Sequence, residues 1–269
     1  MALLEGKKGI VTGVVNEYSY ATHILKALLN EKATVGLAYL PVPAVERRVK
    51  KIAETYSVKF LTPMDASNDE SIAQGFNAIK QEFGNIDFFV HSIAFANMED
   101  LKGRFMNTSR KGFELALGVS AYSLIPMAKA ASELMNRGGS IITLSYLGGE
   151  KVVPNYNVMG VAKAALECTV RYLSFDLGPQ NIRVNSISAG PQKTLASSAV
   201  GDIDAMLEYS EKVSPLKRNV KGEEVGNTAV YLLSDLSSGV TGETIHVDCG
   251  YFIMGAPPAD IAEAAKTTS

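Results

Sequence analysis

Short apolar runs recur along this chain, and a longer segment with helical periodicity follows nearly every one. That alternation is the strongest constraint on the fold. Parallel neighbouring strands need a crossover of about a dozen residues, and a helix supplies it. The runs are 8–12 (KGIVT), 34–38 (TVGLA), 59–63 (KFLTP), 86–92 (IDFFVHS), 139–144 (GSIITL), 183–188 (RVNSIS) and 243–248 (ETIHVD). Helices are expected over 21–31, 45–56, 68–83, 111–136 (one long helix), 157–177 and 223–233. The runs are continuously apolar rather than alternating, as in strands covered on both faces.

The pattern therefore predicts an α/β chain: a Rossmann-like, doubly wound, seven-stranded parallel sheet with helices on both faces. No linker divides it, so residues 1–258 are expected to form one domain, with 259–269 a flexible, Ala-rich polar tail. A hydrophobic share of 46% suits a sizeable core. Net charge is −2 and no basic run stands out, so neither nucleic acid nor an anionic membrane is an expected partner. No stretch approaches the roughly 18 apolar residues of a membrane span, and the start MALLEGKKGIVTG lacks a signal-peptide pattern, so the expected location is cytoplasmic. Two cysteines, Cys168 and Cys249, and three scattered histidines have no metal-ligand spacing, so no metal is expected.

Ligands of such sheets bind outside the carboxyl ends of the strands. The first strand exits into TGVVNEYSYAT, where Gly13 stands without the rest of a G-x-G-x-x-G fingerprint. Backbone N–H groups and the Ser19 hydroxyl, with Tyr20 beside them, can hold a pyrophosphate there, or the segment is a plain strand–helix loop. The second strand ends at Leu40, with neither the acid that holds an NAD ribose nor a local cation for an NADP phosphate. The missing cation favours NADH over NADPH. Asp65, after the third strand, either accepts from an adenine amino group or caps the next helix.

Tyr146 ends the fifth run, Tyr156 follows Pro154, and Lys163 lies seven residues further on, about two helical turns. All three can converge on one cleft, with Gly160 and Ala162 small enough to admit a ligand. A phenol can donate to a carbonyl oxygen that becomes an oxyanion, and an ammonium can hold a cofactor ribose. Taken singly, each is equally an ordinary half-buried tyrosine or snorkelling lysine.

Short-chain dehydrogenases usually carry Ser followed by Tyr-x3-Lys. Here Met159 occupies the tyrosine place and Tyr146 the serine place. That Tyr-x6-Lys arrangement, with HSIAFA (91–96), TLSYLGGE (143–150), PNYNVMGVAKAALE (154–167), RVNSISAGPQKTLA (183–196) and GETIHVDCGY (242–251), resembles the bacterial NADH-dependent enoyl-acyl-carrier-protein reductases along nearly the whole chain. The resemblance implies a homotetramer that reduces the trans-2 double bond of fatty acyl thioesters on acyl carrier protein. Tyr156 would stabilise the enolate, Lys163 would hold the nicotinamide ribose, and Tyr146 would line the site. Gly13, Ser19, Tyr20 and Leu40 would meet the cofactor, with Asp65, Ala66 and Ile93 at the adenosine. Gln192, Lys193, Thr194, Leu195 and Ala196 would hold its nicotinamide and phosphates. Ala96 and Met159 would meet the substrate, under a lid near 195–206. A cofactor-binding paralogue without turnover, or a reductase of another substrate, is the alternative.

The chain departs from that family at Tyr20 (usually Ile), His23 (usually Gly), Leu40 (often Gln) and Gln192 (usually Ile). Bulk at Tyr20, near the pyrophosphate turn, is expected to crowd the ligand. Asp202 and Asp204 stand where relatives often carry Lys or Arg, so docking of an acidic carrier protein is expected to be weaker, unless Lys193, Lys212, Lys217 and Arg218 compensate.

Overall fold

The computed structural model describes residues 2–136, 138–193 and 203–256. Seven parallel strands form one sheet in the order β3-β2-β1-β4-β5-β6-β7. They are β1 (Lys8–Thr12), β2 (Thr34–Tyr39), β3 (Leu61–Pro63), β4 (Phe88–His91), β5 (Gly139–Ser145), β6 (Ile182–Ala189) and β7 (Thr244–Val247). Every pairing is parallel, with Val11 opposite Leu37 on one side and Val90 on the other. Strand order reverses between β1 and β4, which opens a crevice at their carboxyl ends.

Helices α1 (Tyr20–Asn30) and α9 (Gly222–Leu233) pack on one face, where Ile24, Leu25, Leu28, Val225 and Leu232 share a core with Val11, Leu37, Ile142 and Ile187. On the other face lie α3 (Asp69–Phe83), α6 (Leu124–Ser132) and α7 (Asn157–Leu177), with Phe76, Leu124, Met127 and Leu166 packed on Phe89 and Ile141. Helix α2 (Pro43–Thr55) packs on the same face through Val49, Ile52 and Ala53, and begins with a proline in its first turn, where the missing N–H costs nothing. Local signals set several starts. Ser19 caps α1 by accepting from the Thr22 amide, Asn68 caps α3, and Ser109 caps α5 (Arg110–Leu117).

Most elements lie within two residues of their expected bounds, but the single long helix over 111–136 does not exist. Helix α5 ends at Leu117, a π-helical turn spans Gly118–Tyr122, and α6 restarts at Leu124. Pro126 has no N–H to give to the carbonyl four residues back, so the restart places it in a first turn, where none is needed. Two serines of this stretch bond to backbone: Ser120 exchanges hydrogen bonds with Phe95, and Ser123 donates back to Val119 O. Two further helices, α4 (Met98–Leu101) and α8 (Ile203–Val213), were not anticipated from periodicity. The second begins inside the expected lid, whose first part, 195–202, lies outside the described residues, as does the expected tail at 259–269.

Candidate active site

Tyr146 leaves the carboxyl end of β5 and Tyr156 is the residue before α7, so a strand end and a helix mouth meet. Their rings contact edge-on, with centroids 4.9 Å apart and planes at 72°. Gly148 and Gly160 make room for this. A Cβ on Gly148 would lie 2.3 Å from the Tyr156 ring, and one on Gly160 would lie 2.7 Å from Gly148 O. Gly160 therefore serves backbone packing rather than ligand entry, which corrects the expectation from its size. Ala162 is likewise buried, in a small cluster with Leu101, Ala116, Val158 and Met159. Ala96 and Tyr156 pack against that same cluster, so Ala96, Tyr156 and Met159 share one wall.

Lys163 is only 5% exposed, and its ammonium donates to Leu144 O at 2.7 Å. Burial pushes its pKa down to about 8, while the Glu167 carboxylate pulls the other way. Glu167, one turn further along α7, is 6% exposed and accepts a short hydrogen bond from Ser145 Oγ. Burial raises its carboxyl above the ordinary range. Burial also raises the phenols of Tyr146 and Tyr156, so both remain hydrogen-bond donors at neutral pH. The Tyr146 hydroxyl lies 3.3 Å from Met206 Sδ, which places α8 over the phenol pair. Tyr209 of α8 in turn stacks edge-on with Tyr251, at 6.3 Å.

His91, at the end of β4, is fully buried between the hydroxyls of Thr143 (2.9 Å) and Ser123 (2.8 Å). Burial, helped by Lys163, pushes its pKa down to about 3, so the ring is neutral. A neutral ring carries one N–H and one lone pair, so one hydroxyl donates to it and the other accepts. His91, Ser123, Ser145, Glu167 and Met206 were not singled out from sequence. Ser145 and Glu167 lie within the quoted motifs, but their contact joins residues 22 apart and leaves no trace in local spacing.

At the first turn, Gly13 has φ +78°, and a Cβ there would lie 1.7 Å from Ser92 O. Only glycine lets the β1 and β4 exits approach this closely. The Ser19 hydroxyl is engaged in capping, so the turn offers a ligand the free N–H groups at the start of α1. The Tyr20 ring packs on the core and its hydroxyl donates to Gly190 O. Asp65 does not cap α3, which Asn68 does; its Oδ1 accepts from the amide and hydroxyl of Ser67. Beside it, a cavity of about 260 Å³ is lined by Ala66, Ser67, Val119 and Tyr122. Ile93 is half-buried against the adjoining core, and Leu40 lies exposed at the β2 exit. Buried Asn16 Nδ2, His23 Nδ1 and Gln192 Oε1, all around this turn, have no hydrogen-bond partner. A close-approach glycine, a helix start, an adjoining cavity and unpaired polar atoms fit a dinucleotide.

Lys193 is exposed and pairs with Asp204 at 2.9 Å; Thr194, Leu195, Ala196 and Asp202 lie outside the described residues. Among the described residues, no group of three or more His, Cys, Asp or Glu gathers to hold a metal ion, and no helix is long and apolar enough to cross a membrane.

The sequence profile described as enoyl-(acyl carrier protein) reductase matches residues 13–252. The chain belongs to the enoyl-acyl-carrier-protein reductase family. It is 50% identical over 254 residues to the NADH enoyl-acyl-carrier-protein reductase of Rickettsia typhi, covering 94% of this chain and 97% of that one. Against the Nostoc enzyme of the same name it is 51% identical, covering 95% and 100%. Among solved structures, the Bacillus cereus enoyl-acyl carrier protein reductase with NADP+ and indole naphthyridinone superposes with a TM-score of 0.93 at 51% identity, over 95% of this chain and 100% of that one. The Anaplasma phagocytophilum reductase in complex with NAD has a TM-score of 0.91 at 48% identity, over 96% of each chain. Met159, at the short-chain pattern's usual tyrosine place, is buried in the cluster against which Tyr156 packs.

Proposed function

We propose that this chain reduces the trans-2 double bond of enoyl thioesters carried on acyl carrier protein, with NADH as reductant. The observation that carries the reading is the Tyr146–Tyr156 edge contact at the mouth of the helix that also bears buried Lys163. When bound, NADH would supply a hydride to C3 of the thioester. The Tyr156 hydroxyl donates to the C1 oxygen as it gains enolate charge, and a neutral phenol is the donor this needs. Protonation at C2 completes the reduction. Lys163, an ammonium below about pH 8, would hold the nicotinamide ribose. Tyr146 lines the cleft and fixes the Tyr156 ring by edge contact. Ala96 and Met159 form the substrate wall.

Gly13, Ser19, Tyr20, Leu40, Asp65, Ala66, Ile93 and the segment from Gln192 to Ala196 would line the cofactor path, in one domain spanning 1–258 with a lid near 195–206. A cytoplasmic homotetramer is the expected assembly. Tyr172 and Phe175, exposed on the outer face of α7, suit a contact between copies.

The test is NADH consumption with a trans-2-enoyl thioester, comparing the parent with Tyr156→Phe. Rapid consumption that the variant largely loses supports the reading. NADH binding without consumption would move it to a non-catalytic paralogue, and turnover of alcohols would move it to another substrate.

A further inference from the structure

Tyr20 is the first residue of α1, directly after the cap that closes the pyrophosphate turn. Its hydroxyl donates to Gly190 O at 2.7 Å, across 170 positions of sequence. Gly190 directly follows β6 and is itself held in place: its N–H donates to Val247 O at 2.9 Å, and a Cβ on it would lie 3.0 Å from Asp248 Cα. The two ends of this bond belong to different walls of the crevice, the first βα turn and the β6 exit. Burial raises the Tyr20 phenol, so the donor persists at any working pH.

A second, longer tie lies alongside. Gln192 Nε2 is 3.4 Å from Tyr18 O and 3.5 Å from His23 Nε2. The His23 ring is wedged over Gly222, where a Cβ would come within 2.2 Å of it, so the imidazole anchors on α9. Tyr20 and the Gln192–His23 pair thus each tie the first βα turn to the segment after β6.

We propose that Tyr20 is a cofactor-positioning residue, whose bond to Gly190, backed by the Gln192–His23 contact, holds the dinucleotide crevice open at its binding width before NADH arrives. The inference rests on the dinucleotide reading above. A crevice already shaped avoids an ordering cost at the moment of binding, so its effect falls on affinity. Bulk at position 20, in this arrangement, is a brace and not an obstruction.

Tyr20→Phe keeps the ring in the core and removes only the hydroxyl. NADH affinity of parent and variant would be measured by fluorescence titration, together with KM for NADH, kcat and thermal midpoint. One net hydrogen bond predicts a dissociation constant raised roughly three- to tenfold, with KM for NADH raised in step and a much smaller change in kcat. Unchanged NADH affinity in Tyr20→Phe would overturn the proposal. So would a lowered thermal midpoint and kcat with KM for NADH unmoved, the signature of plain packing. Failure of the parent itself to bind NADH would overturn the dinucleotide reading instead.

Discussion

The wall built from β5 and α7 and the wall built from the β6 exit and α8 use polar groups in opposite ways. In the first, Lys163 and Glu167 are nearly sealed from water, and each is tied to the end of β5. In the second, Lys193 pairs with Asp204 and Lys212 with Glu208 while more than half of each side chain is exposed. The cations expected to attract an acidic carrier are thus engaged locally: Lys217 donates to Lys212 O, and Arg218 makes a two-pronged pair with Glu224, holding that carboxyl at about 2. The lesson is that burial sets the scale. Removing a partner on the β5–α7 wall leaves a group without water or protein around it, whereas on the β6–α8 wall water replaces the partner.

The largest effect expected is at the phenol. Tyr156→Phe should lower kcat about 10²- to 10³-fold, as for loss of one oxyanion donor, with NADH affinity nearly kept. Steady-state kinetics and a binding titration read both. A loss under about tenfold would mean that the β5–α7 wall does not depend on this donor.

Glu167→Ala should cost about 2–3 kcal/mol in urea unfolding, because it strands the buried Ser145 hydroxyl and leaves a void. Glu167→Gln, which keeps an acceptor, should cost much less. Equal costs for the two would show that volume, not the hydrogen bond, holds β5 to α7.

Lys163 gives a pH prediction with a definite sign. Its folded-state pKa is lowered to about 8, so the unfolded chain holds more protons between that value and the ordinary lysine range. Stability should therefore rise with pH across that window, as the buried ammonium is discharged. Binding should move the other way, with KM for NADH climbing above about pH 8 as the ribose loses its ammonium donor. Stability that rises while affinity for NADH falls, both trends abolished in Lys163→Met, is the expected outcome; stability and affinity moving in the same direction would contradict it.

The smallest effect belongs to the β6–α8 wall. Asp204→Arg breaks an exposed pair and should change stability by no more than about 1 kcal/mol. It should lower KM for acyl-carrier substrates and leave KM for acyl-CoA unaltered. An equal change for both substrates would mean that the acids on α8 do not govern carrier docking.

Sequence alone determined the elements whose signals are local. Apolar runs and helical periodicity yield seven strands and most of the helices, because each reports its own burial pattern. The spacing of Tyr156 and Lys163 is legible for the same reason: seven residues, about two turns, separate the residue before α7 from one within it. The break between α5 and α6 was legible only in part, since Pro126 marks it but the bonds of Ser120 and Ser123 to backbone carbonyls shape it. What tertiary structure decided are the contacts between distant segments: the phenol pair across a strand end and a helix mouth, Ser145 on Glu167, Met206 over Tyr146, and Tyr20 on Gly190. A side chain's partner depends on which strand ends the sheet order brings together. That order is fixed by packing both faces at once, and no window of sequence contains it.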